Sequence, residues 1–324
     1  MQKSISVVIP NYNGQSLLEA NLPSVFQALK NANVEHEVIV SDDASQDDSL
    51  LFLQENYCNI VIASCDKNKG FSPTINKGIL MAKKDLVFLL NSDVALLPDY
   101  FTSLFQYFTK EETFGVCGRF IGLDDEVIQD AGKYPRLLRS RKLQPFNFYV
   151  HNPTQWVPTL FLSGGGALID RKKLFQLGGF DEIYAPFYYE DTDLSVRAWR
   201  LGWKCYYEHQ AICRHPASIT INKFNKKRSI WIVTQRNKLI FHSIHLSKAS
   251  KLRWNSRQLI TLLVQAIIFR WKYHVAFFKY LEKRSQIKQS KQRNVKMFQD
   301  NNVPMETAIS RICLEIDKQN VIKL

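Results

Sequence analysis

Hydrophobic positions along the first ninety residues alternate between two periods. Short apolar runs at residues 5–9, 38–40, 59–63 and 86–90 read as strands. Between them, residues 16–30 place Leu18, Leu22, Val25, Phe26 and Leu29 on one helical face, with Pro23 as a local irregularity. Residues 47–57 and 73–83 read as two further helices. Strands alternating with helices of this length predict βαβ units and a mostly parallel sheet.

Beyond residue 110 the pattern loosens. Residues 115–122 predict one more strand, and 123–160 form a long excursion punctuated by proline. Order returns at 161–169, which contains Gly164-Gly165-Gly166, and a helix is expected to start near Asp191 and stop at Gly202. From about 223 to 298 the chain reads as helical, with aromatic residues interleaved among Arg and Lys. Its longest uncharged stretch, 258–269, is 12 residues, against the ~20 apolar residues a spanning helix needs. The pattern predicts helices lying in a membrane interface, cationic face towards anionic headgroups.

Charge sharpens this division. Residues 1–220 carry 21 Lys and Arg against 25 Asp and Glu, whereas residues 221–324 carry 22 against 5. The net charge of +13 therefore belongs to the last third, and two domains are expected: 1–220 catalytic, 221–324 helical, basic and membrane-associating. A nucleic-acid-binding tail is the alternative from another class. The helical spacing of the tail's Leu, Ile, Val and Phe and the acidic balance of the first 220 residues argue against it. Six cysteines in no C-x-x-C pair point to reduced thiols, and the N-terminus enters a strand with no signal-peptide pattern, so a cytoplasmic location is expected.

Carboxylates cluster where two strands run out, in Ser41-Asp42-Asp43-Ala44-Ser45 and in Asn91-Ser92-Asp93. In an open parallel sheet, ligands bind beyond the carboxyl ends of the strands. Acidic groups delivered there can hold a hard cation and, through it, a phosphate. No G-x-G-x-x-G follows the first strand, so the ligand predicted is a nucleotide-diphosphate donor rather than a dinucleotide.

Seven segments in order resemble a family 2 glycosyltransferase with the GT-A fold. They are Ser6–Gly14, Ser41–Ser45 with Asp47, Asn68–Gly78, Asn91–Val94, Gly178–Asp181, Tyr189–Leu194 and His215. The resemblance is to the bacterial polysaccharide and rhamnosyltransferase-like branch, and past residue 220 it is thin, resting on Arg236-Asn237. It implies an α/β mixed, mostly parallel sheet flanked by helices, and it implies roles. Pro10, Tyr12, Asn13, Asp42, Asp43, Asn68, Gly70, Asn76 and Ser92 would bind the donor. Asp93, Asn91 and His215 would hold Mn²⁺ or Mg²⁺, with Asn91 standing where the family's D-x-D motif has its first Asp. Asp191 would be the general base, with Gly164, Gly165, Glu190 and Asp193 on the acceptor side. Each has a plainer alternative: an Asx turn at Asp42-Asp43, a helix cap at Asp191, a pair with Arg197 for Asp193.

The resulting expectation is an inverting, metal-dependent glycosyltransferase. Its acceptor would be a hydroxyl of a glycan, lipid-linked, at the inner face of the plasma membrane. The rival within the class is a polyprenyl-phosphate glycosyltransferase, whose phosphate acceptor needs no general base.

Overall fold

The computed structural model describes residues 3–123, 125–150, 155–215, 226–298 and 303–324. The expected alternation is present: β1 (Ile5–Asn11), α1 (Gln15–Ala32), β2 (His36–Asp42), α2 (Ser49–Asn56), β3 (Val61–Ser64), α3 (Phe71–Met81) and β4 (Leu86–Leu90). All five residues of β4 are buried, as expected of a strand covered on both faces. Helix α1 runs through Pro23, whose missing N–H deprives the exposed Glu19 carbonyl, which water can satisfy. It stops at Asn33 in the left-handed conformation, with its N–H on the Lys30 carbonyl.

The less periodic stretch supplies β5 (Ala95–Leu96), β6 (Thr113–Ile121), β7 (Ile128–Asp130), β8 (Gly132–Tyr134), β9 (Phe146–Tyr149), β10 (Val157–Pro158) and β11 (Gly166–Asp170). Helices α4 (Arg171–Gln176) and α5 (Glu190–Arg200), strand β12 (Lys204–Arg214) and β13 (Ile322–Lys323) complete the α/β part. The large sheet runs β10-β12-β6-β11-β4-β1-β2-β3. Strands β1 to β4 pair in parallel, while β11 lies antiparallel to both β4 and β6. Three details of this order build the cleft. Chain order reverses between β1 and β4, which opens a crevice at their carboxyl ends. The register Gly166↔Leu90 brings Gly164 and Gly165 beside Asn91. Parallel pairing of β12 with β6 carries His215 to the same edge, its N–H on the Ile121 carbonyl at 3.0 Å.

The C-terminal helices span Lys227–His245, Lys248–Ile267, Lys272–Glu282, Arg284–Met297 and Met305–Ile316. The expected boundary at 220 lies outside the described residues. Leu239, Ile240, Phe241, Ile309 and Ile312 share one buried cluster with Leu194, Ala198 and Trp199 of α5 and with the sheet. Truncating a ring such as Phe241 in that cluster costs ~3–5 kcal/mol. Three strands, β13-β9-β8, form a second small sheet that the sequence did not announce. All six cysteines are unpaired. Among the described residues no helix is long and apolar enough to cross a membrane.

Candidate active site

A cleft of about 740 Å³ opens at the sheet edge, with Pro10, Asn11, Tyr12, Asp43, Asn68 and Gly70 in one part of its lining. Asp43 is buried and accepts the N–H groups of Lys69 (2.8 Å) and Gly70 (2.9 Å), which fixes the loop entering α3. Gly70 has φ +88, and a Cβ there would stand 2.7 Å from Pro186 Cα, so only glycine fits this crossing.

Three of the donor residues expected from sequence sit behind this wall instead. Asp42 is fully buried and accepts from Asn11 Nδ2 (2.9 Å), Ser45 N (2.9 Å) and Ser45 Oγ (2.5 Å). Its carboxylate lashes the end of β1 to the turn after β2 and does not line the cleft. Asn13 accepts from Gln46 N at 2.7 Å and ties the same two loops. Asn76 donates to the Phe180 carbonyl and accepts the Phe180 N–H, both at 2.9 Å, holding α3 to the Gly178-Gly179 turn.

Asn91, Ser92, Asp93 and His215 line the cleft together. Asp93 is buried, and its Oδ1 has no hydrogen-bond partner; His215 Nε2 is 3.5 Å away. An orphaned buried carboxylate oxygen facing an imidazole fits a divalent cation, which accepts both ligand types. No three His, Cys, Asp or Glu side chains among the described residues could hold an ion unaided. Further oxygens would have to come from a phosphate and water, as is usual for Mg²⁺. Gly165 keeps this corner open, since a Cβ there would meet Asn91 Nδ2 at 2.9 Å.

Asp191, Glu190, Gly164 and Gly165 also line the cleft. Helix α5 begins at Glu190, with Tyr189 in the left-handed region as its cap, so Asp191 is not the capping residue. Its Oδ1 accepts from Thr192 N at 2.6 Å and Thr192 Oγ1 at 3.2 Å. Burial pushes the Asp191 carboxyl above the ordinary range, while the Thr192 bonds and the Lys133 charge pull it back. Burial and then the charge of Asp191 push neighbouring Glu190 up as well, and its Oε2 has no partner.

Asp193, expected on the acceptor side, is fully buried away from the cleft. Its Oδ2 accepts from Arg197 Nε (2.7 Å), and its Oδ1 lies 2.7 Å from His245 Nε2 and 3.1 Å from Tyr184 Oη. Burial opposes the charge of Asp193, but Arg197 and then His245 outweigh it and hold its carboxyl well below the usual range. Arg197 continues to the Leu177 and Gly179 carbonyls, so this pair fastens α5 to the preceding turn.

A model of glycosyl transferase family 2 matches residues 6–178, more than half of the chain. The chain belongs to glycosyl transferase family 2. It transfers sugar from a nucleotide sugar, and its fold is GT-A-like: a mixed, mostly parallel sheet with helices and a C-terminal helical region. An uncharacterized glycosyltransferase of Bacillus subtilis, YfnE, is 23% identical over 282 residues, 69% of this chain and 71% of that protein. The N-acetylglucosaminyl-diphospho-decaprenol L-rhamnosyltransferase of Mycobacterium tuberculosis is 27% identical over 249 residues, 68% of this chain and 78% of its own length. Among solved structures, GalNAc-T7 with UDP, GalNAc and Mn²⁺ superposes with a TM-score of 0.70 at 16% identity. That match covers 98% of this chain and 58% of the other. The mannosyltransferase PcManGT of Pyrobaculum calidifontis, in complex with GDP-Man and Mn²⁺, gives 0.54 at 14% identity, covering 99% and 87%.

In this family 2 chain the cleft has further lining residues that sequence reasoning missed: Asp130, Lys133, Phe161 and Ser163. Lys133 is buried, ion-paired with Asp130, and donates to Asn147 Oδ1 at 2.6 Å. Burial pulls its ammonium down to about 8. Asp130 also accepts from Ser163 Oγ at 2.6 Å. The available signal was weak, a Lys after Ala131-Gly132 inside a segment without periodicity. Arg236 and Asn237 form a third feature. The Asn237 amide donates to the carbonyls of Tyr184 (2.6 Å), Phe187 (2.9 Å) and Tyr188 (2.8 Å), and Arg236 Nη2 to that of Ala185 (2.5 Å).

Proposed function

We propose that this glycosyltransferase moves a sugar, with inversion at its anomeric carbon, to a hydroxyl of a glycan carried on a lipid. One observation carries the reading: a single cleft holds Asp93, whose Oδ1 accepts no hydrogen bond, beside His215 and, in the same lining, the ionisable Asp191. Asp43 and Asn68, with Pro10, Tyr12 and Ser92, receive the nucleoside; a carboxylate accepts from an imide N–H or a ribose hydroxyl. Asp93 and His215, with Asn91 beside them, would hold Mn²⁺ or Mg²⁺, which when bound would neutralise charge on the departing diphosphate. The acceptor hydroxyl attacks C1 opposite the diphosphate. As the new C1–O bond forms, the C1–O bond to phosphate breaks with its electron pair, and Asp191 takes the acceptor's proton. The Thr192 hydrogen bonds, Lys133 and the start of α5 favour ionised Asp191 against burial.

A lipid-carried acceptor is supported by the basic C-terminal third and by the activity of the mycobacterial relative. It would keep the enzyme peripheral, at the inner face of the plasma membrane. Within the cleft, Lys133 favours a polyprenyl phosphate instead, since a cation there suits an anionic acceptor, and undecaprenyl-phosphate 4-deoxy-4-formamido-L-arabinose transferases are among the relatives, that of Proteus mirabilis being 31% identical over 118 residues. The Lys133 charge is already met by Asp130, which weighs for the hydroxyl. The test is a transfer assay with a panel of nucleotide sugars, with and without Mn²⁺, offering glycolipid alcohols and polyprenyl phosphate as acceptors. Metal-stimulated transfer to the alcohol, with inverted configuration by NMR, is expected. Transfer to the phosphate alone would replace this reading with its rival.

A further inference from the structure

The Lys248–Ile267 helix is turned inside out. Its inward strip, Ser250, Trp254 and Gln258, follows i, i+4, i+8 and is buried. Its outward strip follows i, i+4, i+7, i+11, i+15 and is aliphatic apart from Ser256: Leu252, Leu259, Leu263 and Ile267 are 72%, 60%, 66% and 75% exposed. A helix on a water-facing surface normally buries that strip. The apolar surface continues past the helix end, where Phe269 is 80% exposed and Trp271 55%. Scattered exposed leucines need no explanation, but a contiguous stripe of this size marks a contact surface.

Charge identifies what it contacts. No Asp or Glu occurs between Glu208 and Glu282, while that interval carries 14 Lys and Arg. Arg253 and Arg257, one turn apart and exposed, border the apolar stripe on one side, and Lys248 borders it on the other. A stripe of aliphatic side chains, aromatic residues at its end and an all-cationic rim matches a bilayer interface with anionic headgroups. A two-fold pairing with a second copy would set Arg253 and Arg257 against their own like charges.

We propose that the outward face of the Lys248–Ile267 helix, with Phe269 and Trp271, seats this enzyme in the plane of an anionic lipid surface. This deepens the reading of a lipid-carried acceptor, because a docked face would bring the cleft to a substrate confined to that surface. The binding itself does not depend on which residue is the base.

The test is flotation of the full-length protein with phosphatidylcholine vesicles, with and without phosphatidylglycerol at one part in four. Two paired variants are compared, Leu263→Glu with Ile267→Glu, and Arg253→Glu with Arg257→Glu; all four positions are exposed, and circular dichroism checks the fold. Wild type is expected to float with the anionic vesicles only, less so as salt rises, and each pair to weaken partition more than ten-fold. Donor hydrolysis, measured without lipid, should stay unchanged in both pairs. It reports on the cleft separately, so loss of hydrolysis in wild type would sink the functional reading and leave the docking result standing. Flotation unaffected by both pairs would overturn the inference. So would a dimer in sedimentation that the Leu263→Glu, Ile267→Glu pair abolishes, which would give the face to a second copy.

Discussion

Asn237 Nδ2 donates to the carbonyl of Tyr188 at 2.8 Å, three residues before Asp191 in the chain. Tyr188 and Tyr189 both have positive φ, 72° and 79°, and bulky residues held there cost of order 1–3 kcal/mol each. The Asn237 amide, shared among three carbonyls of this segment, offsets that strain from a buried position on the Lys227–His245 helix. The C-terminal third thereby holds the segment that leads into Asp191.

Asn237→Ala should accordingly separate positioning from binding. Removing the amide leaves buried carbonyls unpaired, at a cost of ~1–3 kcal/mol in stability. A small shift of the α5 start should lower kcat by about 10²-fold while the donor KM stays near wild type. Steady-state kinetics and thermal melts measure both, and a wild-type kcat in a destabilised variant would make Asn237 purely structural.

His242 predicts a pH dependence of stability. Its Nε2 accepts the Leu143 N–H at 2.9 Å while Nδ1 lies 2.7 Å from the Lys238 carbonyl, which sets the neutral Nδ1–H tautomer. The ring stacks on Trp254, centroids 4.0 Å apart. Burial, with the nearby Lys238, His245 and Lys142, pushes its pKa down to about 3. An unfolded histidine titrates near 6.5, so below that pH the unfolded chain binds a proton that the folded one refuses. Stability should therefore be lost as pH falls from about 6.5 towards 3, by about 2 kcal/mol between pH 7 and pH 5. Denaturant melts of His242→Gln should show a flatter slope over that window, though from a lower starting stability.

Asp93→Ala should abolish the metal dependence of donor affinity. With Asp93 removed, His215 alone would remain of the pair whose atoms lie 3.5 Å apart. Titration calorimetry of a nucleotide sugar with and without Mn²⁺ is the measurement. A metal-dependent affinity equal to wild type would take Asp93 out of the site.

Much of this architecture was legible because buried parallel strands read as apolar runs; β1, β2 and β4 needed only their sequences. Asp93, Asp191 and His215 were legible as residue types at recognisable places, and the Asp193–Arg197 pair as i, i+4 neighbours. Spacing could not say which carboxylates face the cleft. Asp42 and Asp43 are adjacent, yet one is saturated by Asn11 and Ser45 while the other lines the wall. Asp193 was expected on the acceptor side, with a pair to Arg197 as the alternative, and its second partner, His245, lies fifty-two residues later. Lys133 was hidden because its surroundings come from Asn147, Thr159 and Phe161, brought together only by the folded excursion. The last third was legible as basic and helical, but not which face stays apolar and exposed: those residues run from Leu252 to Trp271.

Asp191→Asn asks whether Asp191 takes the acceptor's proton. The substitution keeps shape and the Thr192 contacts while removing the charge. Turnover should fall by ~10²–10⁴ with donor affinity near wild type. In the wild-type pH–rate profile, kcat should rise with pH through a limb above the ordinary carboxylate range, because burial raises Asp191 and only its ionised form accepts a proton. That limb should vanish from the residual activity of the variant. Wild-type turnover in Asp191→Asn, with the limb intact, would mean that another group takes the proton.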